Sequence, residues 1–353
     1  MTDTLERETQ QTRATVLAQL PGTDMVETLT VLRGELGAPH RSVLPILTNR
    51  SDTAGTAPRT VSVLTELWCD LQPHGWRLTR HPGKESRAAE SLLASDVNAL
   101  ADVVGAESTG DRGPVTVEIT GPVTLAAELH LHNGERVLQD HGARRDVTAA
   151  MADGLTAWLP SVAAAVDGRP VVLRLNEPQF TRVVQGQVPT ASGYRTLRAV
   201  PRPEALQSLR AVTEAARQMG ATVEIVFPMG EDPRTVDHDV ADRLVVERPG
   251  PDPWVWEPLA ASVESGMALG LLVPELLHAA AQDHRGRARV RTGELVRSIT
   301  GPWHSLGLPS AQLDQLTVAP SVGLTDCSPA QVRRTLKLSM DLAHGLHQTA
   351  VEA

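Results

Sequence analysis

The chain has 353 residues, 41 % of them hydrophobic and only 3 % aromatic, so any core of barrel size must be filled by Val, Leu and Ala. A formal net charge of −9 argues against nucleic acid or an anionic membrane as partner, since both select basic surfaces. Two cysteines, Cys69 and Cys327, are too few for a disulfide framework or a four-thiolate metal site.

The opening MTDTLERETQQTR is polar throughout and reads as an N-terminal extension over residues 1–13, without the apolar stretch of a signal peptide. No run approaches the roughly 20 apolar residues of a membrane span, so the expectation is a cytoplasmic protein with no membrane contact. Residues 14–353 read as one domain. Strand candidates follow at Ala14–Leu20, Val43–Thr48, Val115–Thr120, Val171–Asn176, Thr222–Phe227, Arg243–Glu247, Ala268–Val273 and Leu316–Pro320. Each is almost continuously apolar, as parallel strands buried on both faces are. Helical patterns fall at Asp24–Leu36, Thr60–Leu71, Ala143–Val166, Pro203–Met219, Pro253–Ser265 and Ser328–Leu346. Ser328 and Pro329 suit the cap and first position of the last helix, and Gly220 suits the end of the fourth. A small extra strand is expected from Trp76 to Arg80.

Strands alternating with helices, about eight of each pair, predict an α/β fold, a single (β/α)8 barrel of the TIM type with rim insertions. The irregular stretches Asn49–Arg59, Gly105–Gly113 and Gln185–Arg202 are those insertions. The third is either a lid over the barrel mouth or an insertion without catalytic consequence. In such a barrel the C-terminal ends of the strands carry the chemistry. No G-x-S-x-G elbow, GxGxxG or P-loop pattern is present. The histidines of HLH at His130–His132 diverge at two-residue spacing, and Asp237-His238-Asp239 reads as a solvated turn.

Three segments place polar groups at strand ends: ITGPVTLAAEL from Ile119, RLNEPQF from Arg174 and LTVAPSVGLTD from Leu316. Their order and wording resemble the C-terminal catalytic barrel of cobalamin-independent methionine synthase, in the superfamily that also holds uroporphyrinogen decarboxylase. The resemblance spans nearly the whole chain. It implies methyl transfer from 5-methyltetrahydrofolate to homocysteine, with the thiol activated on a zinc held by His, Cys, Glu and Cys. Carried over residue by residue, it puts Ala18 and Gln19 where a Gly-Ser pair holds the substrate amino acid. Gly121 closes the third strand. Asn176 stands for an Asp that grips the substrate ammonium, and Glu177 is retained.

At the implied metal site Phe227 and Met229 occupy the His and Cys positions, and Val322 the second Cys position. Only Glu247 is kept, with Asp242 five residues upstream. Phe and Val have no donor atom and a Met thioether is a weak zinc ligand, so no zinc site is expected. Cys327 lies five residues too far along to substitute. The substrate-binding candidates are therefore Gln19, Gly121, Asn176, Glu177 and Glu247, for a small molecule such as an amino acid or reduced folate. No catalytic residue is assigned. The expected function is a diverged, methyltransferase-like protein. Two alternatives stay open: a non-catalytic binding barrel, and a metal-free decarboxylase of the uroporphyrinogen type. Against the latter, no Arg occurs between Leu17 and Val31.

Overall fold

Parallel pairing links eight strands without a break in the computed structural model, which describes residues 11–107, 113–190, 192–228, 236–277 and 291–352. In chain order the strands are β1 (Arg13–Ala14), β2 (Ser42–Val43), the antiparallel pair β3 (Trp68–Gln72) and β4 (Gly75–Thr79), then β5 (Val115–Thr120), β6 (Val171–Asn176), β7 (Thr222–Val226), β8 (Arg243–Glu247), β9 (Ala268–Val273) and β10 (Thr317–Pro320). The large sheet runs β1-β10-β9-β8-β7-β6-β5-β2, and β3–β4 stand apart.

Backbone bonds join the two ends of that sheet. Arg41 N–H donates to Ala14 O at 2.9 Å, Ile46 N–H to Ala18 O at 2.7 Å and Leu20 N–H to Ile46 O at 3.2 Å. The barrel is therefore closed. The first two strands are shorter than the sequence suggests. Pro45 has no N–H to give a ladder, so regular pairing in the second stops at Val43 and the chain continues through single bonds.

The described helices are α1 (Met25–Glu35), α2 (Thr56–Val61), α3 (Lys84–Ala106), α4 (Pro122–Glu128), α5 (His141–Ala165), α6 (Phe180–Val184), α7 (Arg202–Gln218), α8 (Glu257–Glu264), α9 (Thr292–Ser305) and α10 (Pro329–Glu352), of which α1, α5, α7, α8 and α10 follow the sequence pattern. Ser328 and Gln331 cap α10 reciprocally, side chain to backbone N–H in both directions. The expected helix over Thr60–Leu71 is corrected: it ends at Val61, and Trp68 begins a hairpin that turns at Gly75, whose φ is 122°. That hairpin replaces the single extra strand expected at Trp76–Arg80. Helix α3 has no counterpart in the sequence reading, although Ala89, Leu93, Val97, Leu100 and Val104 recur at helical spacing and are buried.

Inside the barrel, side chains two residues apart face the same way. Register pairs Glu118 with Arg174, Arg174 with Glu224, and Glu224 with Arg243, an alternating row of charge across β5 to β8. Arg174 Nε donates to Glu224 Oε1 at 2.6 Å, and Arg41 Nη2 reaches Glu224 Oε2 from the far side at 2.8 Å. Buried charges persist only when paired and hydrogen-bonded, and these are. Over the row lies a small apolar layer of Leu17, Val226, Val245, Leu272 and Ala319.

Candidate functional site

Above that layer, at the C-terminal ends of the strands, is a cavity of 330 Å³. Its apolar lining is Leu17, Val226, Phe227, Leu272 and Val322. Its polar lining is Gln19, Glu118, Asn176, Glu247 and Ser321. Two larger hollows, of 610 and 380 Å³, lie against the outer helices. In the first, Arg33 is already engaged by both carboxylate oxygens of Glu107. Convergence of polar groups rather than size singles out the rim cavity.

The sequence candidates separate into two groups. Gln19, Asn176, Phe227, Glu247 and Val322 share the cavity. Gln19 is fixed through its carbonyl, which accepts from Leu324 N–H at 2.7 Å. Gly323 permits that contact, because a Cβ there would lie 2.7 Å from the Gln19 Cβ. Asn176 ends β6, and its carbonyl accepts from Gly121 N–H at 2.9 Å. Phe227 is buried edge-to-face on Phe180, with ring centroids 4.8 Å apart. Glu247 ends β8, and the neighbouring Arg248 is turned away to pair with Glu275. The side chains of Gln19, Asn176 and Glu247 make no hydrogen bond or ion pair with any described residue.

Gly121 and Glu177 do not line the cavity. The Glu177 carboxylate is fully buried under the start of α4, accepting from Val123 N–H at 3.0 Å and Thr124 N–H at 2.7 Å. Burial pushes its pKa up to about 7, against the pull of those same hydrogen bonds. Gly121 is needed because a Cβ would meet Glu177 Oε1 at 2.2 Å. Together they set the β5-to-α4 turn. Asp242 is likewise engaged, accepting from Arg217 and from Val223 N–H, both at 2.7 Å.

The stretch Gln185–Arg202 is fastened to the core by buried Val188, Leu197 and Val200, and none of its described residues lines the cavity. Met229 lies outside the described residues. Sequence reasoning missed Glu118. It sits 3 % exposed at the cavity floor, with Oε2 accepting from Ala18 N–H at 3.1 Å and Arg174 Nη1 at 3.3 Å. Its Oε1 has no partner. The signal was an acid in the middle of the strand VTVEIT, where period-two alternation points it inward.

The donor set does not fit zinc. Phe227 and Val322 offer no ligand atom, and among the described residues no His or Cys lines the cavity and no three His, Cys, Asp or Glu side chains gather as a metal site. Cys69 is buried in the hairpin, where burial and nearby carboxylates push its thiol up to about 12. Cys327 lies outside the cavity. No Lys, Arg or His is among the described lining residues either.

No protein-family model matches the chain, and no curated protein matches it in sequence. Solved structures do. A methyltransferase from Methanosarcina mazei superposes with a TM-score of 0.53 at 12 % identity, over 94 % of each chain. A B12-independent methionine synthase from Shewanella sp. W3-18-1, in complex with selenomethionine, gives 0.58 at 10 % identity, over 97 % of this chain and all of that one. This chain shares their fold. Identities so low carry the architecture and nothing finer. Among the described residues, no helix is long and apolar enough to cross a membrane.

Proposed function

We propose that the chain is a methyltransferase-like barrel whose rim cavity binds a small molecule through Gln19, Asn176 and Glu247, without a zinc-bound thiolate. The observation that carries this reading is the set of polar side chains, unengaged by any described residue, that share a 330 Å³ space with an apolar lining. Ligand sites have this character: apolar linings with a few convergent polar groups, usually about 300–1,000 Å³. An amide oxygen at Asn176 accepts a hydrogen bond but holds an ammonium less firmly than a carboxylate, since charge-assisted bonds are roughly twice as strong. The remaining carboxylate, Glu247, does not lower the pKa of a bound thiol, because a neighbouring negative charge raises it.

A second reading, a non-catalytic binding barrel, draws on the same lining, whose described residues include no Cys, His or Lys to serve as nucleophile or base. The decarboxylase alternative receives no support from the described lining residues, none of which is an arginine. A thermal-shift screen with methionine, homocysteine, reduced folates and zinc tests the first point. A ligand at about 100 times its Kd stabilises the fold by about 2.7 kcal/mol, and the Val322→Trp variant should cancel that gain by filling the cavity. Methyl transfer to a stabilising ligand separates the two readings. Stabilisers that ignore Val322→Trp would remove the cavity from the account.

A further inference from the structure

The cavity is acidic in a specific way. Glu118 lines it and is almost wholly buried, and one of its carboxylate oxygens has no hydrogen-bond partner. A buried acceptor left without a donor is costly, more so when charged. Glu247 brings a second carboxylate to the same cavity with no ion pair to any described residue. The nearest interior cation, Arg174, is already engaged by Glu224 at 2.6 Å, the Val16 carbonyl at 2.6 Å and Glu118 Oε2 at 3.3 Å. No cation is left among the described lining residues to meet an anion. The same cavity is lined by the apolar side chains of Leu17, Val226 and Leu272.

We infer that the cavity takes a small apolar amine in its ammonium form and discriminates against ligands that carry a free carboxylate. This rests on the reading of the cavity as a ligand site and names the class of ligand. An alkylammonium stays protonated at neutral pH, since amines of the lysine kind titrate at about 10.4. It supplies the positive charge that Glu247 lacks and a cation beside the Glu118 carboxylate, while its tail covers the apolar lining. A carboxylate in the same space meets like charge in a partly desolvated site, where repulsion is weakly screened. An α-amino acid brings both groups, so its carboxylate subtracts from what its ammonium gains.

Three probes of matched skeleton decide the matter: n-pentylamine, norleucine, which adds an α-carboxylate to it, and hexanoate, which keeps the chain and carboxylate without the amine. Binding is measured at pH 7 by calorimetry and by ligand-observed NMR at millimolar concentration. The full chain is compared with Glu247→Gln and Val322→Trp, both changes at partly or well exposed rim positions. Pentylamine should bind at least about tenfold more tightly than norleucine, and hexanoate should not bind. Glu247→Gln should weaken pentylamine by about tenfold or more, the loss expected for one charged hydrogen bond, and Val322→Trp should abolish it. Norleucine or hexanoate binding as tightly as pentylamine, with Val322→Trp still blocking, would overturn the ligand class and leave the cavity as a site. Pentylamine affinity unchanged in Glu247→Gln would likewise overturn it. No binding of any probe, or binding that survives Val322→Trp, would bring down the cavity reading and the inference together.

Discussion

Glu118 and Arg174 are register partners on adjacent strands, and their 3.3 Å contact divides the Glu118 carboxylate between two tasks. Oε2 belongs to the charged interior, held by Arg174 and by the Ala18 N–H, while Oε1 is left without a partner in a residue that lines the rim cavity. The scaffold thus sets the electrostatics of the site from below.

Arg174→Leu should destabilise the fold by about 3–5 kcal/mol, because it strips a cation from two buried carboxylates. Urea unfolding measures it. Arg41 still serves Glu224 in that variant, so Glu118 bears most of the loss. A cost below about 1 kcal/mol, within the range of exposed pairs, would show that the row of charge is not a coupled unit.

Stability should depend on pH in two opposed limbs. Burial alone would raise the pKa of Glu224, but Arg41, Arg174 and Arg243 together hold it at about 2, below its ordinary 4.5. Its ionised form stabilises the fold above pH 4.5, and that contribution is lost as pH falls toward 2. Glu177 has the opposite shift, to about 7, so the folded state keeps a proton that the unfolded chain releases, and stability falls as pH rises from 4.5 to 7. Each limb is worth about 3 kcal/mol at most. Urea midpoints across this range should show the second limb flattened in Glu177→Gln. An unchanged slope in that variant would assign the limb to other groups.

Gly121→Ala should cost about 1–3 kcal/mol, the range for overpacking a fixed interior. Its new Cβ would lie 2.2 Å from a carboxylate oxygen that two backbone N–H groups hold in place. Gly34→Ala in helix α1 is the control: nothing lies within 4 Å of the added carbon, and helix propensity favours Ala by up to about 1 kcal/mol. Equal effects in thermal melts would contradict the assignment of Gly121 to the turn.

Gently purified protein should carry well under one zinc per chain, since a structural or catalytic site takes four ligands or three plus water and the described cavity offers two carboxylates. Elemental analysis decides it. Roughly one tightly held zinc per chain would overturn the reading of Phe227 and Val322 as lost ligand positions.

The strand ends were legible in sequence because parallel strands buried on both faces read as unbroken apolar runs, so a polar residue closing one stands out. Within those strand ends the family resemblance points to Gln19, Asn176 and Glu247, and they share one cavity. Glu177 was not separable from them by pattern. Whether a carboxylate after a strand turns to the rim or caps the next helix depends on the α4 backbone lying beside it. Glu118 and Glu224 sit mid-strand, where a lone charge says only that a partner must exist. The partner is set by register between strands far apart in sequence, which no local pattern records. Helix α3 was lost among its many polar residues, and its apolar stripe shows only when counted at helical spacing.

The most direct test of the central claim is a crystal of the wild-type chain soaked with a mixed set of small amines, amino acids and carboxylates. The account predicts a molecule in the rim cavity, touching at least one of Gln19, Asn176 and Glu247. Density confined to the outer hollow between Leu32 and Leu336, with the rim cavity holding solvent at the same soak concentration, would contradict it.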